Sequence, residues 1–269
     1  IFGYKSFTYR SIEIDREVLR LTGPFDDSRS GFYLVILTII LSIFLIKEHK
    51  YNLLTFVNLV NLVVIPLTGE RTSLIYCCAL LLASLIFHIK KNKKILLIII
   101  FLMAILLSFL IKQSPQIIKD RNINLLQYQI NNFSKTQWYA HYITSFEIFK
   151  DYKTFGIGVR NFRNVCKSDK YDGLFDKSFR CSTHPHNKYL EILSETGIIT
   201  FIIFIIILCQ IFKRNAYSNL DIYHKTVLII LTLILFDPIL PSKSFFNNWM
   251  SCIFWLILSR LNIKKDYRN

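Results

Sequence analysis

The chain has 269 residues, of which 52% are hydrophobic, and its mean hydropathy is +0.38. It carries 33 Lys and Arg against 18 Asp and Glu, a net charge of +15. Unbroken Ile, Leu and Phe runs approach the length that crosses a hydrocarbon core of about 30 Å, which excludes a soluble basic protein. Much of the positive charge lies in short clusters beside these runs, so it indicates membrane topology and argues against nucleic acid as a partner.

The first 30 residues are polar, and we expect them to lie outside the membrane. The chain begins with Ile1 and has no signal-like segment. We interpret it as a fragment, or a trimmed chain, that lacks earlier N-terminal spans.

Seven apolar segments predict an all-α, polytopic transmembrane protein, with four spans within 31–111 and three within 188–261. The segments are 31–46, 53–67, 73–87, 95–111, 189–212, 222–240 and 248–261. Several are short for a straight crossing, so local thinning of the bilayer or flanking residues must help.

The connecting segments alternate in charge, which predicts the orientation of the spans. The basic connections are 47–50, 88–94, 212–225 and the tail 262–269. The positive-inside rule puts these in the cytoplasm. The other connections are then periplasmic, namely 1–30, 66–71, the long loop 112–187 and 237–248.

The long loop is itself basic, although long loops are exempt from the charge rule, and an anionic substrate is one reason for that charge. Within it, Trp138, Tyr142, Phe146 and Phe149 recur at helical spacing. We expect this apolar face to belong to a short helical subdomain on the membrane surface.

Of the six cysteines, Cys166 and Cys181 are the two in the long loop. In an oxidising periplasm they could form a disulfide. A rival interpretation makes Cys181, His184 and His186 zinc ligands, but no second half-site is evident and we predict no metal. The remaining cysteines fall in predicted spans, where thiols are most simply inert.

The stretch HPHNKYLEILSETGIIT, residues 184–200, puts a titratable cluster beside a predicted span. Pro185 disfavours helix before it, and Asn187 is a good N-cap, so a helix should begin there. Asn187, Glu191 and Glu195 then share one face. A helix N-terminus attracts anions, and His186 beside it can exchange a proton near neutral pH. The simpler interpretation is a set of interfacial polar residues that cap a helix.

Four arginines strengthen the functional interpretation, because guanidinium groups bind phosphate oxygens in a forked geometry. They are Arg20, Arg71, Arg160 and Arg163, all on predicted outer segments. Each alone could be a solvated or snorkelling side chain.

The histidine stretch resembles the signature of the bacterial O-antigen ligase and O-antigen polymerase superfamily. His186 and Asn187 open that signature, residues 188–196 separate its two halves, and Gly197 and Thr200 close it. Three further stretches are similar to family segments in the same order, at 20–34, 69–75 and 146–162.

The chain departs from the family pattern in two places. Lys135 stands near the position where many members have an arginine before the loop tryptophan, and lysine keeps the charge but loses the fork. The family usually has a proline before a glycine turn, whose glycines are Gly156 and Gly158 here. In this chain, Lys153 or Thr154 replaces that proline. Arg160 or Arg163 would have to take the missing arginine's role.

The resemblance implies a membrane glycosyltransferase that moves a glycan from undecaprenyl diphosphate to an acceptor hydroxyl, with no metal or cofactor. The site would lie on the periplasmic face of the bacterial inner membrane, among membrane lipids. His186 would be the general base or a diphosphate ligand. Arg71, with Arg160 or Arg163 and Arg20, would bind the diphosphate, and His184, Asn187 and Glu195 would support the site. We expect Glu191 and Glu195 to be structural.

Several functions are compatible with this resemblance. An O-antigen ligase acting on lipid A–core is the first expectation, and an O-antigen polymerase or a protein O-oligosaccharyltransferase would use another acceptor. A lipid-linked glycan transporter is a non-enzymatic alternative, for which Asp237 beside Pro238 is the main candidate ionisable residue. A structural membrane subunit is a third.

Overall fold

The computed structural model describes residues 8–13, 16–21, 30–91, 97, 101, 124–218 and 220–261. Two strands come first, β1 (Thr8–Glu13) and β2 (Arg16–Leu21), followed by helices. The helices are α1 (Ser30–Lys47), α2 (Tyr51–Thr68), α3 (Arg71–Lys91), α4 (Leu125–Asn131), α5 (Gln137–Asp151), α6 (Phe162–Val165), α7 (Lys177–Arg180), α8 (Lys188–Ala216), α9 (Ile222–Leu235) and α10 (Asn248–Leu261). Short 3₁₀ turns form at Phe133–Lys135 and Asp169–Tyr171.

The predicted helical membrane fold is confirmed, because four helices are long and apolar enough to cross a bilayer. They are α1, α2, the stretch Arg71–His88 of α3, and α8. The predicted segments 222–240 and 248–261 correspond to α9 and α10, which have 14 residues each, against the roughly 20 of a usual span. The predicted span 95–111 lies outside the described residues, apart from positions 97 and 101. The count of seven spans therefore stays a prediction.

Among the described residues, a β hairpin is the one regular element that is not helical. β1 and β2 pair antiparallel, with Thr8 opposite Leu21 and Glu13 opposite Arg16. This places Arg20 on β2, across from Tyr9. The segment 1–30, predicted only as polar and extramembrane, thus contains regular structure.

The chain divides into two compact units, of which the first comprises Ile1–Gln127 and Leu220–Ile234. Its core forms where α1, α2 and α3 pack, around side chains such as Ile39, Leu62 and Leu81. Buried polar groups there pair with one another: Asn61 Nδ2 donates to Thr38 Oγ1 at 2.6 Å. Hydrogen bonds of this kind hold helices together where lipid supplies no hydrophobic driving force.

The second unit comprises Tyr128–Asn219 and Leu235–Asn269. Its loop subdomain has a small core of Ile148, Phe162, Cys166 and Tyr171. α5 packs its buried face against the start of α8: Ser145 Oγ donates to the Leu190 carbonyl at 3.1 Å and to Ser194 Oγ at 2.9 Å.

The predicted apolar face of α5 is not the face that packs. The buried residues of α5 are Ala140, His141, Thr144, Ser145 and Ile148. Phe146, expected in the apolar face, is 44% exposed. Small and polar side chains let the two helices approach closely, whereas the aromatic residues Trp138, Tyr142 and Phe149 are only partly buried.

Candidate functional site

His186 stands at the entrance to α8 in a left-handed backbone conformation, with φ of 59°. Its carbonyl accepts a hydrogen bond from Ser242 N at 2.7 Å, and its ring Nε2 lies 3.0 Å from Ser182 Oγ. Histidine tolerates this conformation better than most residues, at a cost on the order of 1 kcal/mol. The ring is therefore held in place from both the backbone and the side chain.

His184 fastens the same loop to the segment before α10. Its Nε2 lies 3.2 Å from the Ser242 carbonyl and its Nδ1 lies 2.9 Å from Thr183 Oγ1. Because a carbonyl only accepts, Nε2 carries the proton and Nδ1 accepts from the threonine. His184 thus links the loop before α8 to the segment before α10, and its supporting role in the site stays a prediction.

Asn187 caps α8 as predicted. Its Oδ1 accepts from the backbone N–H groups of Tyr189 at 3.0 Å and Leu190 at 3.1 Å. Its Nδ2 donates to the Pro238 carbonyl at 2.8 Å. The cap thus occupies two of the N–H groups at the helix N-terminus, where the sequence suggested an anion site.

The first turns of α8 also bind the end of α9 and the segment between α9 and α10. Tyr189 donates its hydroxyl to the Phe236 carbonyl at 2.6 Å, and Lys188 donates to the Leu235 carbonyl. Glu191 is buried, and its carboxylate accepts from Ser244 Oγ and from Phe245 N at 2.7 Å. Glu191 is therefore structural, as expected.

Glu195 binds the turn that carries two of the predicted arginines. One carboxylate oxygen accepts from Arg160 N at 2.6 Å and the other from Phe162 N at 3.1 Å. Arg160 has φ of 60° and an exposed side chain, while Arg163 is partly buried. Within the described residues, Arg163 Nε is buried without a hydrogen bond. Glu195 thus accepts hydrogen bonds from backbone N–H groups of this turn, and neither arginine side chain forms an ion pair with it.

Two residues of α5 stand directly against His186: Trp138, which the sequence placed only in an apolar helix face, and His141, which it did not single out. The ring of Trp138 meets it edge-on with 4.7 Å between centroids, and the ring of His141 stacks on it at 5.3 Å. The His184 ring is closer still, at 4.0 Å. No sequence pattern indicates His141, or the contact of Trp138 with His186, so only the fold could reveal this cluster.

Burial and neighbouring histidines shape the electrostatics of this cluster. Burial holds the pKa of His186 well below the usual histidine range, and His184, His141 and Lys243 lower it further. Burial lowers the pKa of His141 to about 4, against a small opposing effect of the Cys181 backbone. Both rings are consequently neutral at pH 7.

Tyr142 adds a buried hydroxyl near the cap. Burial raises its pKa to about 12, the Asn187 side chain lowers it, and Asp237 raises it. The phenol therefore stays protonated at pH 7 and can act only as a hydrogen-bond donor or acceptor there.

Cys166 and Cys181 are joined as a disulfide, with their Cα atoms 5.5 Å apart. The pairing matches the sequence prediction and removes Cys181 from the alternative zinc site with His184 and His186. The enclosed loop is organised by Arg180, which is fully buried. Its guanidinium donates to the carbonyls of Cys166, Ser168 and Phe175 and to Asp172. No sequence pattern pointed to this arginine.

The other two predicted arginines belong to the first unit. Arg71 is the first residue of α3, two residues after Gly69, whose φ of 67° ends α2. Arg20 lies on β2. The structure brings His184, His186, Asn187, Glu195, Arg160, Arg163 and the disulfide into one unit, and it does not bring Arg20 or Arg71 into that unit.

These features define a helical membrane protein whose polar site lies at the N-terminal end of α8, a helix long and apolar enough to span a membrane. The sequence model of the O-antigen ligase family matches residues 56–205, more than half of the chain. The chain therefore belongs to the O-antigen ligase family, a class of membrane glycosyltransferase-type enzymes that use a lipid-linked glycan and a glycan acceptor. The match includes Arg71, Arg160, Arg163 and His186 and leaves out Arg20. A comparison with curated proteins found no match.

Proposed function

We propose that the chain transfers a glycan from undecaprenyl diphosphate to a hydroxyl of lipid A–core, at the periplasmic face of the bacterial inner membrane. The observation that carries this proposal is the partly buried, neutral ring of His186, fixed at the polar end of the spanning helix α8. A lipid-linked donor presents its scissile bond at that depth.

The reaction joins the acceptor oxygen to the anomeric carbon of the glycan. The bond from that carbon to the phosphate oxygen breaks, and the diphosphate leaves with the electron pair. His186 accepts the acceptor's hydroxyl proton as general base. A neutral imidazole suits this role better than that of a cationic diphosphate ligand. The charge of a bound diphosphate would raise the low pKa of His186 towards its working range.

Arginines neutralise the leaving diphosphate without a metal in this proposal. Arg160 and Arg163 are the primary candidates, because their turn is fixed to α8 through Glu195 while their guanidinium groups stay out of that contact. We propose Arg71 as a further diphosphate ligand, and Arg20 as a weaker one. No cofactor or nucleotide is needed, because the glycan is already activated.

Two other acceptors remain as alternatives within the family. A growing glycan chain would make the protein an O-antigen polymerase, and a Ser or Thr side chain would make it a protein O-oligosaccharyltransferase. His186 would act in the same way with all three acceptors. An assay with each acceptor is therefore needed to distinguish the three functions.

The transporter alternative is weakened by Asp237. Its carboxylate accepts from the backbone N–H groups of Ile239 at 2.9 Å and Leu240 at 3.0 Å. An Asp that caps a turn in this way has a structural role and is less suited to coupling transport to an ion.

The test is complementation of a ligase-deficient bacterial strain with the full-length gene, with surface polysaccharide separated on a gel. His186→Asn is the informative variant, because Asn tolerates the left-handed backbone at this position. His49→Asn is the matched control, since His49 is an exposed histidine with φ of 54° in the first unit.

We expect the parent and His49→Asn to restore lipid A-linked polymer, and His186→Asn to reduce it at least 100-fold at equal membrane level. If the parent restores nothing, the acceptor is wrong, and polymerase and protein-glycosylation assays follow. If His186→Asn restores the polymer, the assignment of His186 is wrong.

A further inference from the structure

The glycine turn 152–159 carries large apolar side chains that nothing in its own unit covers. Phe155 is 77% exposed, Val159 is 53% exposed and Tyr152 is 49% exposed. Such side chains on a loop tip are unfavourable in water, at about 25 cal/mol for each Å² of apolar surface. Their exposure calls for an apolar partner.

The turn is not a loose tip, because its backbone forms hydrogen bonds with α8 on both sides of Gly197. Ile157 N donates to the Ser194 carbonyl at 3.0 Å, and Gly158 N donates to the Glu195 carbonyl at 2.8 Å. In return, Ile198 N donates to the Lys153 carbonyl at 2.8 Å. These hydrogen bonds therefore hold the exposed side chains at a fixed position along the axis of α8.

At this position the residues of α8 change from polar and buried to apolar and exposed. Glu191, Ser194 and Glu195 are buried before Gly197. After it come exposed isoleucines, at 198, 199, 202, 203 and 206. The apolar surface of the turn thus continues the lipid-facing surface of a membrane-spanning helix.

Cationic side chains flank the apolar ones. Lys150, Lys153 and Arg160 are all exposed. Long basic side chains beside apolar and aromatic residues are typical of the bilayer interface, where the stem lies in the apolar zone and the charge reaches the phosphates.

We propose that the turn 152–159 is an interfacial anchor, with Phe155 and Val159 inserted among the phospholipids of the leaflet on its own side of the membrane. The partner is the bilayer itself, because the turn stands level with the first lipid-facing residues of α8. Insertion would fix the height of Arg160 and of the loop subdomain relative to the lipid phosphates. The proposal needs only that α8 spans the membrane, so it stands or falls independently of the reaction.

The test is spin labelling of the full chain in nanodiscs of phosphatidylethanolamine and phosphatidylglycerol. Cys77, Cys78, Cys209 and Cys252 are first replaced by Ser, which leaves the Cys166–Cys181 disulfide in place. A nitroxide is then attached to Phe155→Cys, and its accessibility to oxygen and to a water-soluble nickel chelate is measured. Val159→Cys provides a second position in case Phe155→Cys fails to fold.

Two reference labels set the scale. Ile202→Cys reports the lipid-facing surface of α8, and Gly173→Cys reports water, because a side chain there meets no atom within 4 Å. We expect the oxygen-to-nickel accessibility ratio at 155 to approach that at 202 and to exceed that at 173. A ratio equal to that at 173 would overturn the proposal, as would low accessibility to both reagents, which would show protein covering the turn.

Discussion

The His186 ring is surrounded by groups that disfavour its charged form. Two histidine rings and the edge of Trp138 stand against it, and Lys243 adds a positive charge nearby. This environment keeps the imidazole neutral at pH 7. In the reaction proposed above, the negative charge of a bound diphosphate would raise the pKa of His186.

His141 gives a pH-dependent prediction. Its folded pKa of about 4 lies below the ordinary 6.5, so the unfolded chain binds more protons between these values. The free energy of unfolding should fall as the pH drops from about 6.5 to 4. His141→Phe should lose less stability over this range, because Phe fills the site without titrating. Thermal unfolding of the full chain in detergent from pH 7.5 to 4 measures this.

The matched control is His49→Phe, at an exposed histidine of the first unit. It should keep the acid sensitivity of the parent. Equal acid sensitivity of His141→Phe and the parent would contradict a buried, neutral His141. Any residual sensitivity in His141→Phe is expected from His186.

The contact between α8 and the glycine turn is the feature that organises the second unit at the level of elements. Gly197 has φ of 77° and ψ of 179° inside α8, a conformation that other residues essentially do not adopt. A Cβ on Gly197 would lie 2.2 Å from the Thr154 carbonyl oxygen. The glycine lets the turn reach the helix backbone, and the closing Gly of the family signature is explained by this contact.

Gly197→Ala is therefore expected to separate the turn from α8. The strained backbone and the clash together should cost about 2–4 kcal/mol of stability. The measurements are the thermal unfolding midpoint and the rate of protease cleavage at Lys153, which should rise as the turn opens.

Gly173→Ala is the control, because nothing lies within 4 Å of its added Cβ. Its stability should stay within about 0.5 kcal/mol of the parent. A Gly197→Ala chain as stable as Gly173→Ala would show that the close approach of turn and helix is not required.

At the scale of the whole molecule, charge distribution and helix lengths predict how the chain crosses the membrane. The basic segment 212–225 includes the last turn of α8 and the connection after it, whereas the loop 112–187 precedes the helix. One crossing by α8 puts these two segments on opposite sides, with the basic connection in the cytoplasm. This orientation would place His186 in the periplasm.

Labelling of single cysteines tests the orientation. In a background without the four free cysteines, Gly173→Cys should react with a membrane-impermeant maleimide added to cells with a permeabilised outer membrane. Tyr217→Cys, 80% exposed after α8, should react only after lysis. The reverse pattern would place the histidine site in the cytoplasm and would contradict a periplasmic reaction.

Several features of the molecule follow from local sequence. Length and apolarity determine α1, α2, α3 and α8, because in lipid a chain must satisfy its own backbone groups within each helix. The cap at Asn187 follows from Pro185 before it and from the asparagine side chain itself. The Cys166–Cys181 pair follows from being the two cysteines of one loop.

What only the tertiary structure decided depends on residues far apart in the chain. Periodicity shows which face of α5 is apolar, yet the face that packs carries His141 and Ser145, since close helix contact favours small and polar side chains. The hydrogen-bond donors to Glu191 and Glu195 are backbone N–H groups and the Ser244 hydroxyl, 33 to 54 residues away, and no local spacing encodes them. The placement of His141 on His186 has the same origin: stacking joins α5 to the loop before α8, so it exists only once the chain has folded.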